Sequence, residues 1–234
     1  MSYTFQFSAL APYQGEILGG IWLTIKLSVL SIVLGASAGA VLASVRSTFG
    51  EPVRLLVDTY VEVIRNTPFL IQLFIVYFGL PGLGFRVGAD TAALIGMTIN
   101  LAAYSTEIIR AGIEAVHRSQ IEAGEALGFT RFQIFRHVIL IPAVAKVYPA
   151  LCSQFVLMML ASSICSAIST HELAAVAAFV ESQTYRSFEV YIVVTVIYLA
   201  LALSLRGLLA LVGLWLFGRR TARPARTAMP EVRA

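Results

Sequence analysis

Glu107 and Arg110 stand three residues apart inside a long apolar run, with Asn100 and Tyr104 seven and three residues before Glu107, spacings that put them near one face of a helix. Ionisable groups at bilayer depth are expensive and face a bundle interior or water, so this face could meet a polar solute. An ion pair between Glu107 and Arg110 that ties the helix to a neighbour accounts for the same two residues. Thr67 and Gln72 flank the start of another apolar run, beside Pro68. Their hydroxyl and amide groups could take the carboxylate and ammonium of a zwitterion, or bond between helices. His117 and His137 lack carboxylate or cysteine partners at ligand spacing, and Cys152 and Cys165 lie in one apolar run, so neither a metal site nor a disulfide framework is expected. There is no Gly-x-x-x-x-Gly-Lys-Ser/Thr phosphate loop, no Ser/His/Asp set and no His-Glu-x-x-His pattern. No catalytic residue and no cofactor is expected; the chemistry on offer is binding and passage.

Such groups must be positioned by elements that cross a bilayer, and the composition supplies them. Of 234 residues, 58% are hydrophobic and 13% charged, with mean hydropathy +0.82, whereas a soluble domain carries about a quarter charged residues. Net charge is +4, but the basic residues follow loops between apolar runs and do not cluster with exposed aromatics, so nucleic acid is not a partner. The pattern predicts an all-α, polytopic integral membrane protein, a single domain over 1–234, with spans at about 17–45, 66–85, 91–112, 138–165 and 188–217. Gly35, Gly39 and Ala43 form a small-residue stripe on the first span that lets another helix approach. Between the first two spans, Pro52 opens a helix with Val53, Leu56, Val57, Tyr60, Val61 and Ile64 at helical spacing, either on the inner surface or leading into the second span. The link 166–187, with His171, Glu172 and Glu181, reads as a solvated loop, and the basic tail 218–234 as disordered. The first sixteen residues lack a basic region and a cleavage site, so no removable signal peptide is expected.

The longest polar interruption is 117–137. Ser119-x-x-Glu122 and Thr130-x-x-Gln133 both have the spacing of a capping box, and Gly128 between them suits a left-handed helix stop. This predicts a short helix, a sharp turn and a second helix that runs into the membrane. Glu122 either caps its own helix or offers its carboxylate to a basic partner. Phe129, Phe132 and Phe135 recur every third residue along one side of the second helix; the first two read as a sticky face, Phe135 as packing under the bundle.

Glu122-Ala123-Gly124, Gly128 and Val138-x-Leu140 resemble the cytoplasmic signature Glu-Ala-Ala-x-x-x-Gly…Ile-x-Leu-Pro of membrane subunits of bacterial ATP-binding-cassette importers. Two departures stand out: Gly124 replaces the second Ala, which weakens the first helix by up to ~1 kcal/mol, and Pro142 falls one residue late. Two further strings resemble the polar amino-acid branch of that family: Arg65-Asn66-Thr67-Pro68-Phe69-Leu70-x-Gln72-Leu73-Phe74-x-x-Tyr77-Phe78-Gly79-Leu80-Pro81, and Tyr104-x-x-Glu107-Ile108-x-Arg110-x-Gly112-Ile113.

The resemblance implies a type I importer-like core of five helices with a cytoplasmic coupling helix. It assigns contact with the ATPase to Glu122, Ala123, Gly128, Phe129 and Phe132, and leaves Thr67, Gln72, Asn100, Tyr104 and Glu107 as candidates for the substrate path. The partners it implies are ATP-binding ATPase subunits, a periplasmic substrate-binding protein, a second copy or homologous permease, an amino-acid substrate and the lipid bilayer. ATP would be hydrolysed in the partner. The implied location is the bacterial inner membrane. With the docking loop inside, nearly all arginines and lysines are cytoplasmic and only Arg86 and Arg186 external, which puts the N-terminus in the periplasm and the C-terminus in the cytoplasm. A secondary transporter of small polar solutes, the alternative, would usually show an internal repeat with matching broken helices.

Overall fold

The computed structural model describes residues 4–217, and among these every regular element is helical. A 3-10 segment, Phe7–Tyr13, leads into α1 (Gln14–Thr48); α2 (Glu51–Arg65), α3 (Phe69–Gly82) and α4 (Ala89–Glu114) follow. The polar interruption then gives α5 (Arg118–Ala126) and α6 (Arg131–Gln133). A π-helical stretch, Ile134–Leu140, joins α6 to α7 (Ile141–Ala161), and a 3-10 segment, Ser162–Ile168, precedes α8 (Leu173–Thr184) and α9 (Ser187–Phe217). The tail from residue 218 lies outside the described residues.

Four stretches are long and apolar enough to cross a membrane: Phe7–Thr48, Ala89–Glu114, Arg131–Ile168 and Ser187–Phe217. The expected second span is a broken one. α2 and α3 meet at 106° and pass the same test only as a pair. Pro68 explains the break: it has no N–H to continue α2 and biases Thr67 away from helical backbone, so α3 starts afresh with Pro68 as its extended N-cap. With 14 residues α3 is about 21 Å long, short of the roughly 30 Å hydrocarbon core.

The core follows from the small-residue stripe. Gly20, Thr24, Ser31, Gly35, Gly39 and Ala43 are buried on one face of α1. A Cβ on Gly35 would stand 2.9 Å from Leu101 Cβ, and one on Gly39 would stand 2.5 Å from Ser105 Cβ, so α1 and α4 touch nearly backbone to backbone. Around this seam Leu27, Leu73, Met97, Leu101, Phe155 and Met158 make the main core. A second cluster, with Leu10, Leu173, Val176, Val180, Val190 and Val194, joins α8, the first half of α9 and the N-terminal segment.

That second cluster corrects the reading of 166–187 as a solvated loop. Leu173, Val176, Ala177 and Val180 recur at helical spacing and bury one face of α8. The turn before it is made by Ser169, whose backbone is left-handed at φ 64°.

Candidate functional site

The segment from α5 to α6 is built almost entirely from local signals. After α5, the Gly128 N–H donates to Glu125 O at 2.9 Å and the Phe129 N–H to Gly124 O at 3.1 Å, the paired bonds that close a helix end on a left-handed residue. Gly128 supplies that residue at φ 77°. Thr130 then caps α6 as expected: its Oγ1 accepts from the Gln133 N–H, while Gln133 Oε1 accepts from the Thr130 N–H. The other expected capping box does not form. His117 takes the N-cap position and accepts from the Ser119 N–H, which places Ser119 inside the helix and frees Glu122 from capping. Glu122 instead lies exposed beside Arg118, 3.2 Å away. Ala123 is exposed too. Phe129 and Phe132 are 42% and 69% exposed, and Leu127, which the sequence reading passed over, is 74% exposed beside them. Phe129 precedes the Thr130 cap and so belongs to the turn, not to the second helix. Only its place between two capped helices makes Leu127 notable, and no periodicity signals it.

Three expected path residues meet at the α2–α3 break. Gln72 Nε2 donates to Ile64 O at 2.6 Å and to Thr67 O at 3.0 Å, and it lies 2.9 Å from Thr67 Oγ1. Asn100 Nδ2 on α4 donates to Gln72 Oε1 at 2.9 Å. Gln72 thus satisfies carbonyls left open where α2 ends, and both amides are buried. Thr67 remains exposed, its hydroxyl donating back to Val63 O. The two other path residues join through Arg65, whose guanidinium sits 5.5 Å from the Tyr104 ring centroid and 3.4 Å from Glu107.

Glu107 is also gripped by Arg110, with both its oxygens engaged at 2.6 and 2.7 Å. This pair belongs to a longer ladder. Arg110 reaches Glu114 at 2.6 Å, Glu114 meets Arg46 of α1 at 3.2 Å, and Arg46 holds Asp58 of α2, which also neighbours Arg54. The guanidinium fork suits such shared, two-oxygen contacts. The ladder clasps α1, α2 and α4 at the end of the bundle from which α5 emerges.

At the opposite end two carboxyl groups are fully buried. Glu172 Oε1 accepts from the Ala175 N–H at 2.9 Å, capping α8, and Oε2 accepts from the Tyr198 hydroxyl at 2.7 Å on α9. The Leu173 N–H donates to Thr24 Oγ1 of α1 at 3.2 Å. Glu189 Oε1 accepts from the Gln6 N–H at 2.9 Å and lies 3.8 Å from Arg186. Neither acid was singled out as a buried group, although an acid directly before an apolar run is a cap signal. Glu181, at the surface of α8, accepts from Ser187 Oγ at 2.6 Å and Tyr191 OH at 2.7 Å, and these bonds hold its carboxyl below the ordinary carboxylate range. Among the described residues no three His, Cys, Asp or Glu side chains converge to hold a metal ion.

Known proteins place this geometry in a family. The chain is 38% identical over 186 residues to a probable glutamine ABC transporter permease of Bacillus subtilis (strain 168), covering 80% of this chain and 86% of the relative. An arginine transport system permease of the same organism is 36% identical over 200 residues, covering 85% and 91%. The octopine transport system permease of Rhizobium meliloti is 36% identical over 219 residues, covering 89% of each. Among solved structures, an amino acid ABC transporter crystallised with histidines matches with TM-score 0.82 at 37% identity over 90% of this chain and 99% of that one. The inward-facing MetNI methionine ABC transporter shares the fold, with TM-score 0.74 at 20% identity over 88% and 98%. Residues 31–217 match the family model described as binding-protein-dependent transport system inner membrane component, and the chain belongs to that family.

Proposed function

We propose that the chain is the permease subunit of an ATP-driven importer of polar amino acids, with hydrolysis carried out by a separate ATPase that docks on α5, the Gly128 turn and α6. The observation that carries this reading is the exposure of Leu127, Phe129 and Phe132 on a capped element that lies between α4 and α7 in the chain. An apolar edge held on a rigid, short element is what a groove in a partner can grip. Glu122 and Ala123 line the same exposed helix, and the carboxylate is free to leave Arg118 for a basic group on the partner.

The fold supports a division of labour at the path. Gln72 and Asn100 are spent on each other and on α2's carbonyls, so they keep the break in shape. Arg65, Thr67, Tyr104 and Glu107 remain partly accessible around it. A zwitterion presents one group of each sign, and Arg65 and Glu107 offer the complement at 3.4 Å from one another. A second permease copy or a homologous sister completes the path, and a periplasmic binding protein delivers substrate at the end where Gln6 and Glu189 meet. The N-terminus is then periplasmic and the C-terminus cytoplasmic, and ATP-driven closure of the ATPases rocks the docking elements to alternate access.

The test is recovery of the ATPase with the tagged permease from membranes. Phe132→Asp, Glu122→Arg and Gly128→Pro each reduce recovery while the permease still inserts. Gly128→Pro acts by removing the N–H that bonds Glu125 O and by forbidding φ 77°. Wild-type recovery and transport in all three variants would refute the docking reading.

A further inference from the structure

The docking element reaches the membrane through an unusual joint. From Arg131 to Ile168 the helical run is continuous, but Ile134–Leu140 is π-helical, with the Ile141 N–H donating to Arg136 O, five residues back. A π turn holds one residue more than an α turn and packs less tightly about its axis. Pro142 follows directly, at the start of α7, and has no N–H to donate to the turn beneath it. The residue that displaces Pro142 by one position in the sequence is therefore absorbed here as a widened turn.

α5 rests on this joint. Gly124 is its one buried residue, and a Cβ there would stand 3.3 Å from Ile134 Cγ1 and 3.6 Å from Val138 Cγ2. Ile134, at 5% exposure, is the buried residue of the π stretch. Ile134 and Val138 thus present two side chains, four residues apart, to a helix that has given up its own Cβ to reach them. Glycine at 124 is a loss within α5 but a fit between α5 and the joint.

We infer that Gly124, Ile134 and Val138 are positioning residues that pass displacement of α5 to α7 through the π turn, and that the turn is the compliant part of the linkage. This rests on the docking reading above. A push on α5 is delivered to the π stretch directly, through the contact of Gly124 with Ile134 and Val138. Because the wide turn and the proline lack part of the usual hydrogen-bond ladder, α7 can change its direction there without unwinding elsewhere.

The test uses the complete importer in proteoliposomes and reads two quantities, ATPase recovered with the permease and substrate moved per ATP hydrolysed. Gly124→Val, which drives a branched side chain into Ile134, and Ile134→Ala, which removes the contact, each leave recovery unchanged and lower substrate per ATP by about three- to tenfold, the scale of coupling changes from residues touching neither ligand. The double variant Gly124→Val with Ile134→Ala refills the space and restores the ratio to within about twofold of wild type. A merely structural role would not show that rescue. Unchanged substrate per ATP in both single variants would overturn the proposal, as would loss of ATPase recovery that the double variant fails to restore. Failure of the docking reading looks different: Phe132→Asp would then leave recovery intact.

Discussion

The seam between α1 and α4 gives the sharpest quantitative expectation, because two glycines on the same helix should respond with opposite sign. In Gly39→Ala the new Cβ would stand 2.5 Å from Ser105 Cβ, 2.9 Å from Ala102 O and 3.0 Å from the Thr106 nitrogen. Carbon atoms settle at about 3.5–4.0 Å, so the helices must part by roughly 1 Å at their closest point. The parting also strains the neighbouring Gly35–Leu101 contact. Overpacking of this kind costs about 1–3 kcal/mol, while alanine in place of glycine favours the helix by about 0.5–1 kcal/mol. The net loss is up to about 2.5 kcal/mol, a fall in melting temperature of up to about 10 °C for a chain of this size. Gly19→Ala is the control: nothing lies within 4 Å of its Cβ, so only the helix gain remains and the melting temperature rises by about 1–4 °C. Thermal unfolding of the purified protein in detergent, followed by intrinsic fluorescence and by loss of the monodisperse peak, measures both. If Gly39→Ala melts at or above Gly19→Ala, the backbone-to-backbone seam is not what orders these helices.

Two further outcomes concern the α8 end of the bundle. Glu172→Leu should lower stability by about 2–5 kcal/mol, from loss of the α8 cap and of the buried carboxylate that accepts from the Tyr198 hydroxyl; Tyr198→Phe alone should cost less, and the two losses should be less than additive, as a double-mutant cycle in detergent would read. Glu181 gives a pH effect of defined sign: its carboxyl is lowered in the folded protein, so the Ser187 and Tyr191 bonds stabilise the α8–α9 turn above the ordinary carboxylate value of 4.5 and that contribution fades as pH falls through the lower folded value. Hydrogen-exchange protection at residues 181–191, corrected for the intrinsic exchange rate at each pH, should therefore fall as the pH drops below the ordinary carboxylate value, and Glu181→Gln should remove the pH dependence while keeping the fold.

What the sequence makes legible here is whatever is decided within a turn or two of chain. Thr130, Gln133 and Gly128 meet their partners within three residues, so the turn and the second cap could be read directly. Ser119-x-x-Glu122 has the same spacing and fails, because α5 begins two residues earlier and His117 occupies the cap. The bend at Pro68 is a property of proline and its neighbour, but the use of Gln72 is not, since its partner Asn100 is 28 residues away. Glu172 shows the limit most clearly. Its residue type and neighbours suit a solvated loop, and its burial is decided by α1 and α9: the adjoining Leu173 N–H bonds Thr24, 149 residues away in sequence, and the Tyr198 hydroxyl that Glu172 accepts from is 26 away. The π stretch was visible only as a displaced proline, a spacing whose structural meaning depends on what packs against it.

The order of synthesis gives α9 a meaning beyond its place in the bundle. Every buried member of the main cluster, from Leu27 to Ile168, precedes it in the chain, and α9 buries only Glu189, Val190 and Val194 near one end, with Tyr148 of α7 bonded to Leu209 O and its ring against Gly213 near the other. A nascent polypeptide halted before Ser187 already contains all the parts of the α1–α4 seam. The last hydrophobic segment is then laid along a scaffold assembled before it emerged, clipped at head and foot, with its long middle left to whatever apolar company the bilayer provides.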